Sequence, residues 1–334
     1  MARVLVIGGS RFMGLQLVWH LLASGHQVTT LNRGRHPDPF GSRIARLRAD
    51  RTTPEFQAVL AASSFDAAVD FAAFGGDDAR GAVKALTGRV GHYILISSGQ
   101  VYLVREGLAA PGAPIAEDAY DGRVMAAPGD PSGRREWLYG VGKRDAEDVL
   151  AEAFATHGFP YTALRLPMVE GELDPSGRLA SYLWRILDGR PVLLPDGGPG
   201  TVRHVYSGDV ARAIAALLGR SEALGQRYNL CQEEMPTLRE FLELLTDLSG
   251  APRRIRSIGS DTLQAAGLRP EDISPFSTPW MSLLDPGKAR REFGFRHTPL
   301  ETYLGHIVAS FFQRPAEDPP ESYRLRRREL ALLD

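Results

Sequence analysis

The stretch RVLVIGGSRFMGLQLVWHLLASGHQVTTL, Arg3 to Leu31, decides the fold. Arg3–Ile7 is a β-branched run suited to a strand buried on both faces. Phe12–Ala23 repeats apolar residues at helical spacing, Gly25 ends that helix, and Gln27–Leu31 predicts a second strand. Strand, glycine turn, helix and strand form one βαβ unit, and a right-handed crossover makes its two strands parallel. The alternation continues outward: a strand at Ile44–Ala49, a helix around Glu55–Ala62, a strand at Ala67–Phe71, a helix around Asp78–Leu86, a strand at His92–Ser97, a helix at Tyr139–Ala155 and a strand at Tyr161–Leu166. The fold class is therefore α/β, a doubly wound parallel sheet of the Rossmann type.

Beyond Leu166 the alternation breaks into Gly- and Pro-rich stretches, GELDPSGR (Gly171–Arg178) and LPDGGPGT (Leu194–Thr201), which predict a smaller, irregular α/β substrate lobe. Asp209–Leu218 and Thr237–Leu248 read as helices, with Ser207 or Asp209 and Thr237 as caps. Gly107–Pro131 is a long Gly/Pro/Ala-rich insertion expected to form a functional loop or lid. The tail SYRLRRRELALLD, Ser322–Asp334, reads as either a docking helix or a solvated segment.

A chain of 334 residues is long enough for two lobes at about 150 residues each. With 43% apolar and 24% charged residues its composition is globular, which excludes wholesale disorder. Cys231 is the single cysteine, so neither an intramolecular disulfide nor a multi-thiolate zinc site is available, and no metal is expected. The apolar run Met1–Ile7 is too short for a secretory segment and no stretch reaches membrane-spanning length, so a cytoplasmic location is expected. A net charge of −1 provides no overall attraction for nucleic acid, and the expected partner is a small molecule.

GGSRFMG, residues 8–14, lies between the first strand and the first helix. Glycines there let the backbone turn sharply beside a pyrophosphate, and the helix start offers free N–H groups and a positive dipole end. Gly8, Gly9, Ser10, Arg11, Phe12, Met13 and Gly14 are accordingly the candidate cofactor cradle. At the end of the second strand, where an acidic residue would hold the ribose of NAD, stand Asn32 and Arg33. Arg33, helped by Arg11, would suit a 2′-phosphate, so NADP is favoured over NAD. Asp50 is a candidate for the adenine amino group or, equally, a turn cap.

Tyr139 and Lys143 in YGVGK are four residues apart on one helix face. A phenol is a poor base at neutral pH, but an adjacent ammonium favours the phenolate, which can take a proton from an alcohol while hydride leaves its carbon. Ser98, at the carboxyl end of HYILIS, could orient the same oxygen. Gln100 and Trp137 could line the pocket, although Trp137 could equally pack the lid. Arg203 could grip a phosphate or carboxylate, or form a structural ion pair. His204 could touch substrate but is expected to be a satisfied histidine at a strand end, and Cys231 a small buried hydrophobe.

The chain resembles the short-chain dehydrogenase/reductase superfamily, in its extended or atypical branch, the NAD-dependent epimerase/dehydratase family. The resemblance is carried by VLVIGGSRFMG, VDFAAF (Val69–Phe74), ISSGQVY (Ile96–Tyr102), YGVGKRDAE (Tyr139–Glu147), ALRLPMVEG (Ala163–Gly171), RHVYSGDVARAI (Arg203–Ile214), RYNL (Arg227–Leu230) and LDPGKARREFGF (Leu284–Phe295), in the family's order. It implies catalysis by Ser98, Tyr139 and Lys143. It further implies that Phe71, Ala72 and Ala73 line the cofactor, with Pro167 beside it, and a homodimer through a bundle containing the Tyr139 helix. It also implies interleaved lobes: residues 1–166 with about 195–225 bind the cofactor, about 167–194 with 226–320 bind the substrate, and 321–334 form a tail.

Departures from the family pattern narrow the chemistry. Dehydratases of the family carry an Asp-Glu pair after the catalytic hydroxyl, where this chain has Gly99 and Gln100, so dehydration is disfavoured. Epimerases carry an Asn where this chain has Met168, which weakens the case for a nucleoside diphosphate sugar and makes Met168 a candidate substrate contact. The expected function is reduction or epimerisation at a secondary alcohol or ketone of a sugar or sugar-nucleotide-like substrate. The alternative is a non-catalytic NAD(P)-binding sensor or RNA-associated scaffold of the atypical branch, which the Arg11 variant of the glycine loop resembles and some of whose members resemble chloroplast proteins described as RNA-binding.

Overall fold

The computed structural model describes residues 1–107, 112–313 and 318–333. Residues 108–111 of the expected 107–131 insertion lie outside them. The strands in chain order are β1 (Arg3–Ile7), β2 (Gln27–Asn32), β3 (Ala45–Arg48), β4 (Ala67–Asp70), β5 (Tyr93–Ser98), β6 (Tyr161–Leu166), β7 (Met168–Glu170), β8 (Val192–Pro195), β9 (His204–Tyr206), β10 (Gln226–Asn229) and β11 (Ile255–Ile258). The chain separates into two compact units. The first comprises Met1–Pro167, Ser207–Cys231 and Leu284–Arg296, and the second Met168–Tyr206, Gln232–Leu283 and His297–Asp334.

The first unit is built on a seven-stranded parallel sheet in the order β10-β6-β5-β4-β1-β2-β3. Its sequence order reverses beside β1, which opens a crevice at the carboxyl ends of the strands. Strands β4, β5 and β6 are buried at every position, as expected of strands covered on both faces. The covering helices are α1 (Phe12–Ala23), α2 (Pro54–Ala61), α3 (Gly76–Leu86), the short α4 (Gln100–Leu103) and α5 (Pro131–His157). Leu5, Ile7, Phe56, Leu60, Leu86, Tyr93, Leu95 and Leu150 make one core cluster between the sheet and α2, α3 and α5.

Helix α5 begins eight residues before the expected start at Tyr139. Asp130 caps it by accepting from the Gly133 N–H at 2.7 Å, Pro131 occupies the first position, and Gly158 (φ +66°) ends it. The run GRREW has no apolar period, which hid this first stretch from a periodicity reading. Tyr139 therefore sits two turns inside the helix, on rigid backbone.

The second unit contains the paired strands β8 and β11, the paired strands β7 and β9, and the helices Arg178–Leu187, Leu238–Leu248 and Leu300–Gln313 around a core of Leu179, Leu183, Phe241, Leu245, Tyr303 and Leu304. Thr237 and Glu240 form a reciprocal capping box on the second of these helices. The expected lobe boundaries need correction. Residues 195–206 belong to the second unit because β8 and β9 pair with β11 and β7, whereas 226–231 belong to the first because β10 extends the main sheet. Leu284–Arg296 also belongs to the first unit.

The tail is docked, which overturns its reading as a solvated segment. Arg326 and Glu329 are buried, Glu329 accepts from Arg185 Nε at 3.0 Å, and Arg326 donates to Asp188 at 2.7 Å. Leu325, Leu332 and Leu333 pack on Leu193, Leu263 and Ile273.

Candidate active site

In the first unit the expected site residues follow the carboxyl ends of successive strands: Gly8–Gly14 after β1, Asn32 at the end of β2, Asp50 after β3, Phe71–Ala73 after β4, Ser98 at the end of β5 and Pro167 after β6. Gly8 (φ +106°) and Gly9 (φ +82°) hold conformations that side chains resist, and a Cβ on Gly14 would stand 2.6 Å from the Gly9 Cα. This cradle admits a close-packed pyrophosphate, and the start of α1 carries no side-chain cap, so its N–H groups face no competing oxygen of that kind. Phe12 adopts φ +43°, an uncommon backbone state for a residue with a side chain. Asn32 ties the loop to β2 by donating from Nδ2 to Ser10 Oγ at 3.0 Å, while its Oδ1 accepts from the Gly34 N–H at 2.8 Å.

Lys143 lies on the buried face of α5. Its Nζ donates to the carbonyls of Ala73 at 2.7 Å and Ile96 at 2.8 Å, and it stands 4.8 Å from the Phe74 ring centre and 5.8 Å from that of Tyr139. Two of three ammonium donors are thus fixed by backbone. Burial pulls the Lys143 ammonium down to about 8, with Asp70 opposing that fall and Arg51 adding to it. Tyr139, one turn earlier, is exposed and its ring meets Phe74 at 6.4 Å between centres. Ser98 is buried at the end of β5, where its Oγ accepts from the Gln100 N–H at 3.2 Å.

The helix approaches its neighbours this closely because two glycines lie between Tyr139 and Lys143. A Cβ on Gly140 would lie 2.8 Å from the Gln100 carbonyl oxygen, and one on Gly142 would lie 2.4 Å from that of Phe74. Sequence reasoning passed over both, although glycines inside a helix at a cost of about 1 kcal/mol each are a signal of close approach. It also passed over Asp70, buried at the end of β4, and Arg51, whose fork grips it at 3.0 and 3.1 Å. Gln100 donates to Glu136 Oε2 at 3.2 Å, and Trp137 Nε1 donates to the Met125 carbonyl at 3.0 Å, so Trp137 packs the loop.

Met168 and Arg203 belong to the second unit. Arg203 is buried and directs Nε to the Gln232 carbonyl at 2.8 Å and Nη2 to that of Glu233 at 3.1 Å. His204 calls for a correction. It is fully buried against Phe241 and Phe276, and neither ring nitrogen has a hydrogen-bond partner among the described residues; burial pulls it down to about 3. Cys231 is buried, with its thiol on the Leu284 carbonyl at 3.0 Å.

The sequence profile of the NAD dependent epimerase/dehydratase family matches residues 4–231. The chain belongs to that family. It is 27% identical over 264 residues to the chloroplast stem-loop binding protein of 41 kDa b of Arabidopsis thaliana, covering 75% of this chain and 64% of that one. The chain thus spans less than two thirds of that relative's length. It is 28% identical over 255 residues to the 2'-dehydrokanamycin reductase of Streptomyces kanamyceticus, covering 75% and 67%. Among solved structures, the UDP-glucose 4-epimerase of Thermus thermophilus, in complex with NAD, shares the fold with a TM-score of 0.68 at 22% identity over 93% of this chain and 99% of that one.

The expected preference for NADP is overturned. Solved structures that share the fold were determined with NAD, among them that epimerase and the dTDP-glucose 4,6-dehydratases of Bacillus anthracis and Streptomyces venezuelae. Within this chain Arg33 Nη1 lies 3.7 Å from Asp50 Oδ2, so a carboxylate already answers the charge that was assigned to a 2′-phosphate. Asp50 also accepts from the Thr52 N–H at 3.1 Å and its hydroxyl at 2.8 Å, which makes it the cap of its turn. The family comprises oxidoreductase chemistry with a nicotinamide cofactor, and among the described residues no helix is long and apolar enough to cross a membrane.

Proposed function

We propose that the chain is an NAD-dependent reductase or epimerase acting on a secondary alcohol or ketone of a sugar or sugar-nucleotide-like substrate. The observation that carries this reading is the fixed Lys143 ammonium, one helical turn from Tyr139 and anchored on the carbonyls of Ala73 and Ile96 at the carboxyl edge of the sheet. Gly8–Gly14 would hold the pyrophosphate, with Asn32 and Phe71–Ala73 beside the nucleoside. When bound, the cofactor would accept hydride as NAD in the oxidation direction and supply it as NADH in the reduction direction. Tyr139 takes the proton of the substrate hydroxyl on oxidation and returns one to the carbonyl oxygen on reduction, Lys143 lowers the cost of the phenolate, and Ser98 orients the oxygen. Neither Gly99 nor Gln100 offers a carboxyl group, which argues against loss of water, although dehydratases share the fold.

Tyr139→Phe tests the reading. NAD binding followed by calorimetry should change little, while turnover on a panel of secondary alcohols, ketones and UDP-glucose should fall about 10²-fold or more. Unchanged turnover would remove the catalytic assignment. The similarity to a stem-loop binding protein favours a second reading, a non-catalytic scaffold, and binding of a stem-loop RNA without turnover on any substrate would support it.

A further inference from the structure

The strap Phe71–Gly75, which follows β4, is held at three consecutive residues. Asp70 Oδ1 accepts from the Ala72 N–H at 2.8 Å, the Ala73 carbonyl accepts from Lys143 Nζ at 2.7 Å, and Asp78 Oδ2 accepts from the Phe74 N–H at 2.8 Å. The two carboxylates meet on one guanidinium. Arg51, in the turn between β3 and α2, gives Nη1 and Nη2 to the two oxygens of Asp70 and Nε to Asp78 Oδ1 at 3.0 Å, with Nη2 also on the Asp78 carbonyl at 2.9 Å. Tyr93 donates to Asp70 Oδ2 at 2.7 Å and completes the buried set.

We propose that Arg51 is a positioning residue for Lys143, acting through Asp70, Asp78 and the strap whose Ala73 carbonyl receives the lysine. The proposal rests on Lys143 as the catalytic lysine, yet it concerns a position and a charge that are measurable without turnover. The planar fork matters because it spans two carboxylates from one side chain, which the point charge of a lysine does not reproduce. Arg51 also neutralises Asp70. The charged groups that face Lys143 are Asp70 from the end of β4, Arg51 from the β3–α2 turn, Asp78 from α3 and Glu147 from its own helix. Phe74 and Tyr139 present uncharged rings to it. Removing Arg51 leaves Asp70 unbalanced and strengthens the hold on the Lys143 proton, whereas removing the Asp70 charge weakens that hold.

The sequence makes a direct test available, since it contains three lysines, Lys84, Lys143 and Lys288. In the full chain grown with ¹⁵N-lysine, the Nζ resonance of Lys143, assigned through K143R, reports its titration. Arg51→Gln should raise the midpoint by about one pH unit and Asp70→Asn should lower it by a similar amount. Arg51→Lys keeps the charge and loses the fork, so the midpoint should stay within about 0.3 units of the wild type while NAD binding weakens several-fold, as expected of a loosened strap. A midpoint that stays put in both Arg51→Gln and Asp70→Asn overturns the proposal. If Arg51→Gln fails to fold, Asp70→Asn and Arg51→Lys decide it, and undiminished NAD affinity in Arg51→Lys overturns the positioning role. Loss of the catalytic reading through Tyr139→Phe leaves these titrations as they are, so the two failures are distinguishable.

Discussion

Glu147 in the first unit and Glu170 in the second are the same residue type, and both are fully buried, yet their surroundings shift the two carboxyl groups in opposite directions. Burial pushes both carboxyl groups up. Around Glu147 that push is outweighed by Arg165, which donates from Nε at 3.0 and 3.1 Å and from Nη2 at 2.5 Å, by the Ser97 hydroxyl at 2.5 Å, and by Arg227 at 3.2 Å. Its carboxyl is held below the usual range. Glu170 has no hydrogen-bond partner for either oxygen among the described residues, and its nearest cation, Arg178, stays at 3.9 Å. Its carboxyl rises to about 8. Burial sets the cost, and the partners decide whether the group answers it by pairing or by keeping its proton.

The largest expected effect breaks the paired side of this contrast. Glu147→Gln leaves Arg165 a buried cation with its carboxylate gone, and urea unfolding should show a loss of about 3–5 kcal/mol. A loss below about 1 kcal/mol would mean that the network contributes little and that the contrast is one of geometry alone.

Glu170→Gln sharpens the unpaired side through pH. An acid whose folded value is raised keeps its proton in the native state while the unfolded chain gives it up. Its contribution is therefore complete below the unfolded value of 4.5 and is lost as pH rises toward about 8. The slope is about 1.4 kcal/mol per pH unit. The variant should match the wild type at low pH and exceed its stability by about 3 kcal/mol above pH 8, after allowance for relaxation around the site. His204 acts in the other direction in both proteins: its folded value falls to about 3, so stability drops as pH falls below 6.5. Parallel pH curves for wild type and Glu170→Gln would refute the assignment of a neutral Glu170.

The same contrast explains what the sequence made legible. The strands β4 and β6, the glycine cradle and the shared helix of Tyr139 and Lys143 depend on patterns within a few residues, and a linear reading finds such patterns. Arg33 was visible as a cation, but its partner Asp50 stands seventeen residues on, so a charge counted without its counterion pointed to the wrong cofactor. Arg51 and Asp70 escaped notice for the same reason, as they are nineteen residues apart. The anomaly at Glu170 left a trace, an acid inside the short strand Met168–Glu170, but whether it was paired depended on contacts that only the fold creates. The unit boundaries escaped because β8 and β9 find their partners in β11 and β7, pairings with no local signature.

Two helix glycines give the smallest effects and separate packing from propensity across the two units. Both are interior helix positions, where alanine is preferred by about 1 kcal/mol. Gly305, in the helix Leu300–Gln313, has nothing within 4 Å of an added Cβ, so Gly305→Ala should raise stability by about 0.5–1 kcal/mol. Gly142 faces the Phe74 carbonyl at 2.4 Å, so Gly142→Ala should lower stability by about 1–3 kcal/mol despite the same propensity gain. The displacement also falls on the strap that receives Lys143, which ties this packing defect to the site. Gly142→Ala should therefore weaken NAD binding while Gly305→Ala leaves it unchanged, as measured by calorimetry beside thermal unfolding. Equal and stabilising effects of the two substitutions would show that α5 does not need its close approach to Phe74, and that Gly142 is there for a reason other than the placement of Lys143.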